Sequence, residues 1–304
     1  MNRKLLGVSL FLAVLLPCQL WAQAPLVFES DLGLKDGAVA AMKGLALTVS
    51  PDLKMYDLTH EIPTFNTWEG AYWLKETAPY WPPGTVFVAV IDPGAGAERK
   101  SLVLKTKSGH YFVSPNNGTL TLVVEDLGIA EIRKIDEAKF PRPGAEKSTL
   151  FAGRDVFASV GASLASGKMP FEEVGPKLDA EEMVLIPYQK PAFDGKAVSG
   201  TIPMPDLQDG NVWTNIDAPT FEKLGVKKGE LVTVQIKTGE EVMFEENMVF
   251  VATAGDVPEG DLLAYFNDQA DLSFAINQDN FADTYGIASG PDWHVRVQKA
   301  APKK

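Results

Sequence analysis

Apolar and polar positions fall into blocks from Pro25 onward. LVFES (26–30) is a short apolar run whose exit is polar: Glu29, Ser30 and then Asp31. This pattern predicts a buried strand with a carboxylate just beyond its end. GAVAAMKGLALTV has helical spacing, with Lys43 on the outer side, and KMYDLTH predicts a second strand. WEGAYWLKETAPYW predicts an aromatic-rich helix that stops near Pro79. GTVFVAVI is a buried strand that feeds the loop DPGAGAER (92–99). LVLKTKSGHYFVSP predicts a hairpin that turns at Ser-Gly. PNNGTLTLVVEDLG predicts a loop and then a helix. FAGRDVFASVGASLASG predicts a helix with small residues on one face and a glycine stop. Strands alternating with helices imply an α/β N-terminal domain built on a mainly parallel sheet.

The pattern changes after about Leu185. KPAFDGKAVSGTI, LVTVQIKT, EVMFEENMVFVAT and WHVRVQK read as strands divided by turn signals, with little helix between them. They predict a smaller all-β C-terminal domain, an antiparallel barrel or sandwich. The charged stretch EEVGPKLDAEEM is the expected link. The division is therefore a leader at 1–24, an N-terminal α/β domain at 25–185 and a C-terminal β domain at 186–304.

The leader has its own pattern. Arg3 and Lys4 precede the apolar run Leu5 to Leu16, which is too short to span a bilayer comfortably, and Ala22-Gln23-Ala24 is a small-x-small cleavage site. A retained anchor is the competing reading. A signal peptide cleaved after Ala24 places the mature chain in the periplasm or outside the cell, with no membrane attachment. Cys18 is the only cysteine and lies inside this leader, so a mature chain carries no disulfide and no thiol chemistry. The chain has 28 Lys and Arg against 40 Asp and Glu, a net charge of −12. That balance argues against nucleic acid and anionic lipid as partners.

Metal chemistry finds little support. His60, His110 and His294 are far apart and have no ligand spacing, so structural or surface roles fit them better. There is no nucleophile elbow, no P-loop lysine and no complete dinucleotide fingerprint. What remains is a set of polar and aromatic residues at loop ends. They are Asp31 and Asp36, Phe65 and Asn66, Asp92 and Arg99, Asn116 and Asn117, Phe151, Arg154 and Asp155, and Asp206, Asn211 and Trp213. Singly, each fits a turn, a cap or a core position: SDLG could cap the following helix, and Asp92 with Arg99 could be a surface ion pair framing a tight turn.

In combination they are specific. Asp31 in SDLG, then DPGAG, PNNG, LFAGRD and GNVWTN occur in an order and spacing that resembles the SAM hydroxide adenosyltransferase family, which also contains the fluorinase and chlorinase. The resemblance runs from about Leu26 to about Val297. It implies a homotrimer whose nucleoside site lies between the N-terminal domain of one subunit and the C-terminal domain of the next. By this similarity Asp31 holds the ribose hydroxyls, since a carboxylate accepts two hydrogen bonds from a vicinal diol. Asp206 and Asn211 hold the amino-acid end of S-adenosylmethionine, with Trp213 beside it. Phe65 packs near the ribose, and the Asn277 segment matches the adenine-binding stretch. Asp36, Asn117, Phe151 and Gly153 complete the substrate-binding set. No cofactor and no metal is implied, because S-adenosylmethionine is itself the substrate.

The family reaction is displacement at the ribose 5′ carbon, with methionine leaving. Halide-using members carry a tyrosine where this chain has Asp92, and a serine or glycine at Gly153. The fluorinase also has an extra loop beyond Ser108 that is absent here. Asp92 thus points towards water. Hydroxide-using members carry an Asp–Arg–His triad, which Asp92 and Arg99 match. The histidine's place, in LFAGRD, is held by Ala152. The sequence therefore implies an exported hydrolase with Asp92 and Arg99 as catalytic residues. The alternatives are a non-catalytic exported nucleoside- or adenosyl-binding protein, or an envelope protein that keeps only the trimeric scaffold.

Overall fold

A computed structural model describes residues 23–91, 100–140, 151–206 and 208–301. Residues 1–22, which hold most of the expected leader, and the loop 92–99 lie outside the described residues. The first sheet begins with β1 (Leu26–Ser30), α1 (Ala38–Val49), β2 (Met55–Thr59), α2 (Thr67–Thr77) and β3 (Val86–Val90). It continues with the hairpin β4 (Ser101–Thr106) and β5 (Tyr111–Pro115), then α3 (Thr121–Leu127), β6 (Ile129–Lys134), α4 (Ser159–Ala165) and the two-residue β7 (Lys177–Leu178). The strand order is β2-β1-β3-β5-β4-β6-β7.

The sheet is mixed, which corrects the mainly parallel expectation. β2, β1, β3 and β5 pair in parallel, whereas β4, β6 and β7 join antiparallel. The cause is local. A tight hairpin reverses the chain, so β4 must run against β5. Its turn uses Gly109 at φ 88, a conformation that suits glycine. Within the expected link, Lys177–Leu178 pairs with β6, and the Arg133 guanidinium donates to the carbonyls of Glu172 and Gly175.

Both faces of the parallel half are covered, which explains its unbroken apolar runs. Leu26, Phe28, Val86, Val88 and Val90 pack against Met42, Ala46, Val160 and Ala162 of α1 and α4. Val27, Phe87 and Ala89 pack on the other side, with Leu74 of α2 and Val123 of α3. The small residues of α4 allow this approach: a Cβ on Gly161 would stand 2.4 Å from Val88 Cγ2. The helix predicted from LFAGRD starts differently from expectation, with a π-helical turn over Gly153–Ala158 before α4.

The second sheet holds β8 (Ala192–Phe193), β9 (Ala197–Ile202), β10 (Met204–Pro205), β11 (Val212–Asp217), β12 (Leu231–Thr238), β13 (Glu241–Phe250), β14 (Leu262–Phe266), β15 (Asp271–Ile276) and β16 (Gly290–Lys299). Short helices α5 (Ala218–Glu222) and α6 (Phe281–Tyr285) sit among them. The order is β10-β11-β15-β14-β13-β12-β16-β9-β8, antiparallel except for the β13–β14 pair. The sheet curls until β9 and β11 meet, where the Asn215 Oδ1 accepts the Thr201 N–H at 2.8 Å. A nearly closed barrel results, with Val212, Ile216, Val232, Val234, Phe274 and Val297 filling it. The domains pack together through Trp68, Tyr72 and Leu122 on one side and Met204 and Trp213 on the other. Among the described residues no helix is long and apolar enough to cross a membrane.

Candidate functional site

The topology marks a place before any residue is considered. From β1 the chain goes to β2 on one side and then to β3 on the other. In open α/β sheets, ligands bind outside the carboxyl ends of the strands at such a reversal. The N-terminal candidates converge there. Asp31 follows β1, and its N–H approaches the Val90 carbonyl at 3.4 Å. The Asn117 Nδ2 donates to the Ile91 carbonyl at 2.8 Å, and its Oδ1 accepts from Thr119 Oγ1 at 2.8 Å. Gly153 stands against the same strand end, where a Cβ would lie 3.2 Å from Val90 Cγ1 and 2.9 Å from the Phe151 ring. Asp31, Asn117 and Gly153 thus gather at the exit of β3. Asp92 and Arg99 follow that exit in sequence and lie outside the described residues.

Asp31 is fixed from the α2 side. Its Oδ2 accepts the Phe65 N–H at 2.9 Å. Phe65 has φ 68 and is 66% exposed, so a bulky side chain is held in a left-handed conformation with little burial to stabilise it. Strain of this kind accompanies ligand sites. The next residue, Asn66, caps α2 by accepting the Glu69 N–H at 3.0 Å.

Beneath this corner lies a carboxyl that sequence reading did not single out. Glu29 is 1% exposed, and neither of its oxygens has a hydrogen-bond partner. Burial pushes its carboxyl well above the usual range, and the nearby Glu69 charge adds to the rise. Glu69 is itself raised by burial. The signal was present as an acid inside the apolar run LVFES, but a strand end does not reveal which helix covers it.

The start of LFAGRD is held by charge. Arg154 forms a paired contact with Asp155, Nε to Oδ1 at 2.6 Å and Nη2 to Oδ2 at 3.0 Å. The Asp155 Oδ2 also accepts the Phe151 N–H. Ala152 packs against the apolar cluster that contains Val90 and Phe157. Asp36 stands apart from this group: its Oδ1 accepts the Ala38 N–H at 2.8 Å and so opens α1. The histidines are placed structurally or at the surface. His60 bridges Ser30 Oγ (2.7 Å) and Asp57 Oδ1 (3.0 Å), His110 bridges Ser108 and the Trp81 carbonyl, and His294 is exposed on β16.

The C-terminal candidates form a second group on the barrel. The Asp206 Oδ1 accepts the Gln208 N–H at 3.0 Å, and its N–H donates to the Asn211 carbonyl at 2.7 Å. This tight loop faces the segment after β15. Between them is a cavity of about 580 Å³ lined by Asn211, Asp209, Tyr265, Ile276, Gln278 and Asn280 among others. The Asn277 side chain turns away and donates to the Val257 carbonyl at 2.8 Å, so its neighbours rather than its amide meet the cavity. Gln278 at φ 63 shapes that wall. Burial, with Asp206 nearby, pushes the Tyr265 hydroxyl up to about 12. Trp213 packs into the domain seam, close to the Tyr265 hydroxyl.

Comparison with known proteins agrees with this arrangement. A family model described as the SAM hydroxide adenosyltransferase N-terminal domain matches residues 26–175, and the corresponding C-terminal domain model matches residues 200–294. An (R)-S-adenosyl-L-methionine hydrolase of Methanocaldococcus jannaschii is 48% identical over 143 residues, 46% of this chain and 52% of that protein, so this match spans about half of each. A fluorinase of Actinoplanes sp. is 31% identical over 289 residues, covering 87% of this chain and 95% of its own. A crystal structure of an uncharacterized conserved protein from Thermotoga maritima superposes with a TM-score of 0.77 at 33% identity, covering 90% of this chain and all of that one. Both domains and their order are matched, and the chain belongs to the SAM hydroxide adenosyltransferase family.

Proposed function

We propose that this protein hydrolyses S-adenosyl-L-methionine, adding water at the ribose 5′ carbon to give adenosine, methionine and a proton. The observation that carries the reading is Asp31: a carboxylate at the exit of β1, beside the sheet's reversal point, pinned by the N–H of a strained and exposed aromatic. A ribose diol suits that acceptor, and Phe65 suits the sugar's apolar edge. The C-terminal cavity at Asn211 takes the rest of the substrate, supplied by a neighbouring subunit of a homotrimer. Asp92, with Arg99 keeping it ionised, accepts the proton from water. The sulfonium is already a good leaving group, so placement in line is the main task.

Ala152 favours a second reading. It is partly buried against the apolar core and offers no acid–base group, and loss of one such group costs about a hundredfold in rate. The protein would then be an exported nucleoside-binding protein without turnover. One experiment separates the two: incubate purified protein with S-adenosyl-L-methionine and chromatograph for adenosine. Release that Asp92→Ala abolishes and Ala152→His accelerates supports the hydrolase. Thermal stabilisation by adenosine with no release at high protein concentration supports the binder.

The assembly and location are tested separately. Asp31→Ala and Asn211→Ala subunits, each inactive alone, regain activity when mixed if the site is shared between chains. The intact mass of protein recovered from the cell envelope reports cleavage after Ala24.

A further inference from the structure

A second cavity lies in the seam between the two domains of one chain. It measures about 250 Å³, below the roughly 300–1,000 Å³ of sites for larger ligands. Its walls come from α2 and α3 on one side and from β11, β15 and the stretch before β9 on the other. Three features distinguish it from ordinary domain packing.

First, acids outnumber bases. Asp126, Asp217 and Asp271 line it together with Glu125 and only one cation, Lys75. Glu125 is already engaged by the Tyr188 hydroxyl at 2.5 Å and by Lys190. Lys75 is already engaged by Glu76 at 3.2 Å. Lys75 offsets part of the charge of Asp126 and Asp271, and the Asp217 Oδ1 accepts the Thr220 N–H at 2.7 Å, yet acids remain in excess; burial, with Glu76, Asp217 and Asp126 nearby, pushes Asp271 up to about 6 in spite of Lys75. Second, Tyr72 is 2% exposed, yet its hydroxyl has no hydrogen-bond partner. That hydroxyl feels the charges of Glu76, Asp271 and Asp268, which places it among the acids. A buried phenol without a partner is uncommon and calls for a ligand or a bound water. Third, the remaining wall is apolar and aromatic. Trp68 and Tyr188 sit with ring centroids 4.8 Å apart, next to Leu122.

We propose that this seam is a binding site for a small primary alkylammonium ion. The ammonium's three N–H donors match the Tyr72 oxygen and the Asp271 and Asp126 carboxylates. Its short alkyl chain lies along Trp68 and Leu122, and the aromatic faces attract the charge. Lys75 reaches the ring face of Tyr72, 6.0 Å from its centroid, but makes no hydrogen bond to the Tyr72 hydroxyl. The site does not depend on the hydrolase reading, since it uses neither the β1 corner nor the Asn211 cavity.

The test uses the full chain and three probes: n-butylammonium, tetramethylammonium and sodium, as chlorides at matched ionic strength. Calorimetry and thermal unfolding are read on wild type, Tyr72→Phe and Asp271→Asn. The expected result is saturable n-butylammonium binding that raises the unfolding temperature. Tetramethylammonium, which has no N–H donor, binds about tenfold or more weakly, and sodium shows nothing saturable. Each substitution weakens n-butylammonium by about tenfold while the variant still unfolds cooperatively. Equal responses to the three cations, or undiminished binding in both folded variants, would overturn the proposal. A variant that fails to fold leaves the other variant and the cation comparison to decide.

Discussion

Replacing Glu29 by methionine should make the protein more stable. Methionine has a similar length and no groups that require hydrogen bonds. The glutamate has two buried oxygens without partners and sits near a second acid, Glu69. A buried polar group left unpaired costs about 1–3 kcal/mol. Removing it should therefore contribute about 1–3 kcal/mol, or a few degrees in unfolding temperature for a chain of this size. The sign with pH is fixed by linkage. Glu29 has its folded value raised, so its favourable contribution is complete below the ordinary carboxylate value and is lost as pH rises through the folded value. Methionine has no such dependence. The advantage of Glu29→Met should be about 1–3 kcal/mol at acid pH and widen towards alkaline pH. Urea unfolding followed by fluorescence of the six tryptophans measures it at two pH values. A variant less stable than wild type, or a gap that does not widen with pH, would show that Glu29 has a partner that satisfies its charge.

Three further expectations follow from the geometry. Phe65→Gly relieves a left-handed phenylalanine and loses little packing, so stability should change by under about 1 kcal/mol while adenosine affinity falls; unchanged affinity by calorimetry would remove Phe65 from the site. Asp271→Asn should remove a stability loss that wild type suffers as pH rises from about 4 to about 6, worth about 1–2 kcal/mol after allowance for solvent screening, because the folded value is raised; parallel pH profiles for the two proteins would refute this. Gly161→Ala places a methyl 2.4 Å from Val88 Cγ2 and should destabilise by about 1–3 kcal/mol in urea unfolding, and a neutral effect would mean that α4 can move away from the sheet.

Much of the fold was legible because its signals are local. Apolar runs over 26–30 and 86–90 are unbroken because both sheet faces are covered, and the Ser-Gly turn fixed the β4–β5 hairpin. The mixed sheet was missed although its cause was visible. A hairpin inside a parallel series forces reversal, and IAEIRK (129–134) then adds on the reversed side with too few apolar residues to stand out. β11, β14 and β15 were missed for a related reason: each is short, and β11 alternates buried Val212, Thr214 and Ile216 with seam residues that look like loop chemistry. Pairing partners far apart in sequence leave no local trace.

The site divides along the same line. Asp31 and Phe65 are 34 residues apart, and only their similarity to a family pattern joined them before the fold did. The seam cavity draws on residues from Trp68 to Asp271 and has no motif at all, and the orphaned oxygens of Glu29 and Tyr72 are properties of what surrounds them. This bears on Ala152. A missing histidine is visible in sequence because a motif defines its place, but a group that takes over its task need not occupy that place. Any replacement must reach the exit of β3, where Asp31, Asn117 and Gly153 meet. His60 and His110 are both engaged elsewhere, His60 by Ser30 and Asp57 and His110 by Ser108 and Trp81. Neither is free to act without breaking those bonds. If the proposed hydrolysis runs through Asp92 with no histidine, the pH–rate profile should show one carboxylate ionisation and no imidazole step; an imidazole step would point to His294, which is exposed on β16.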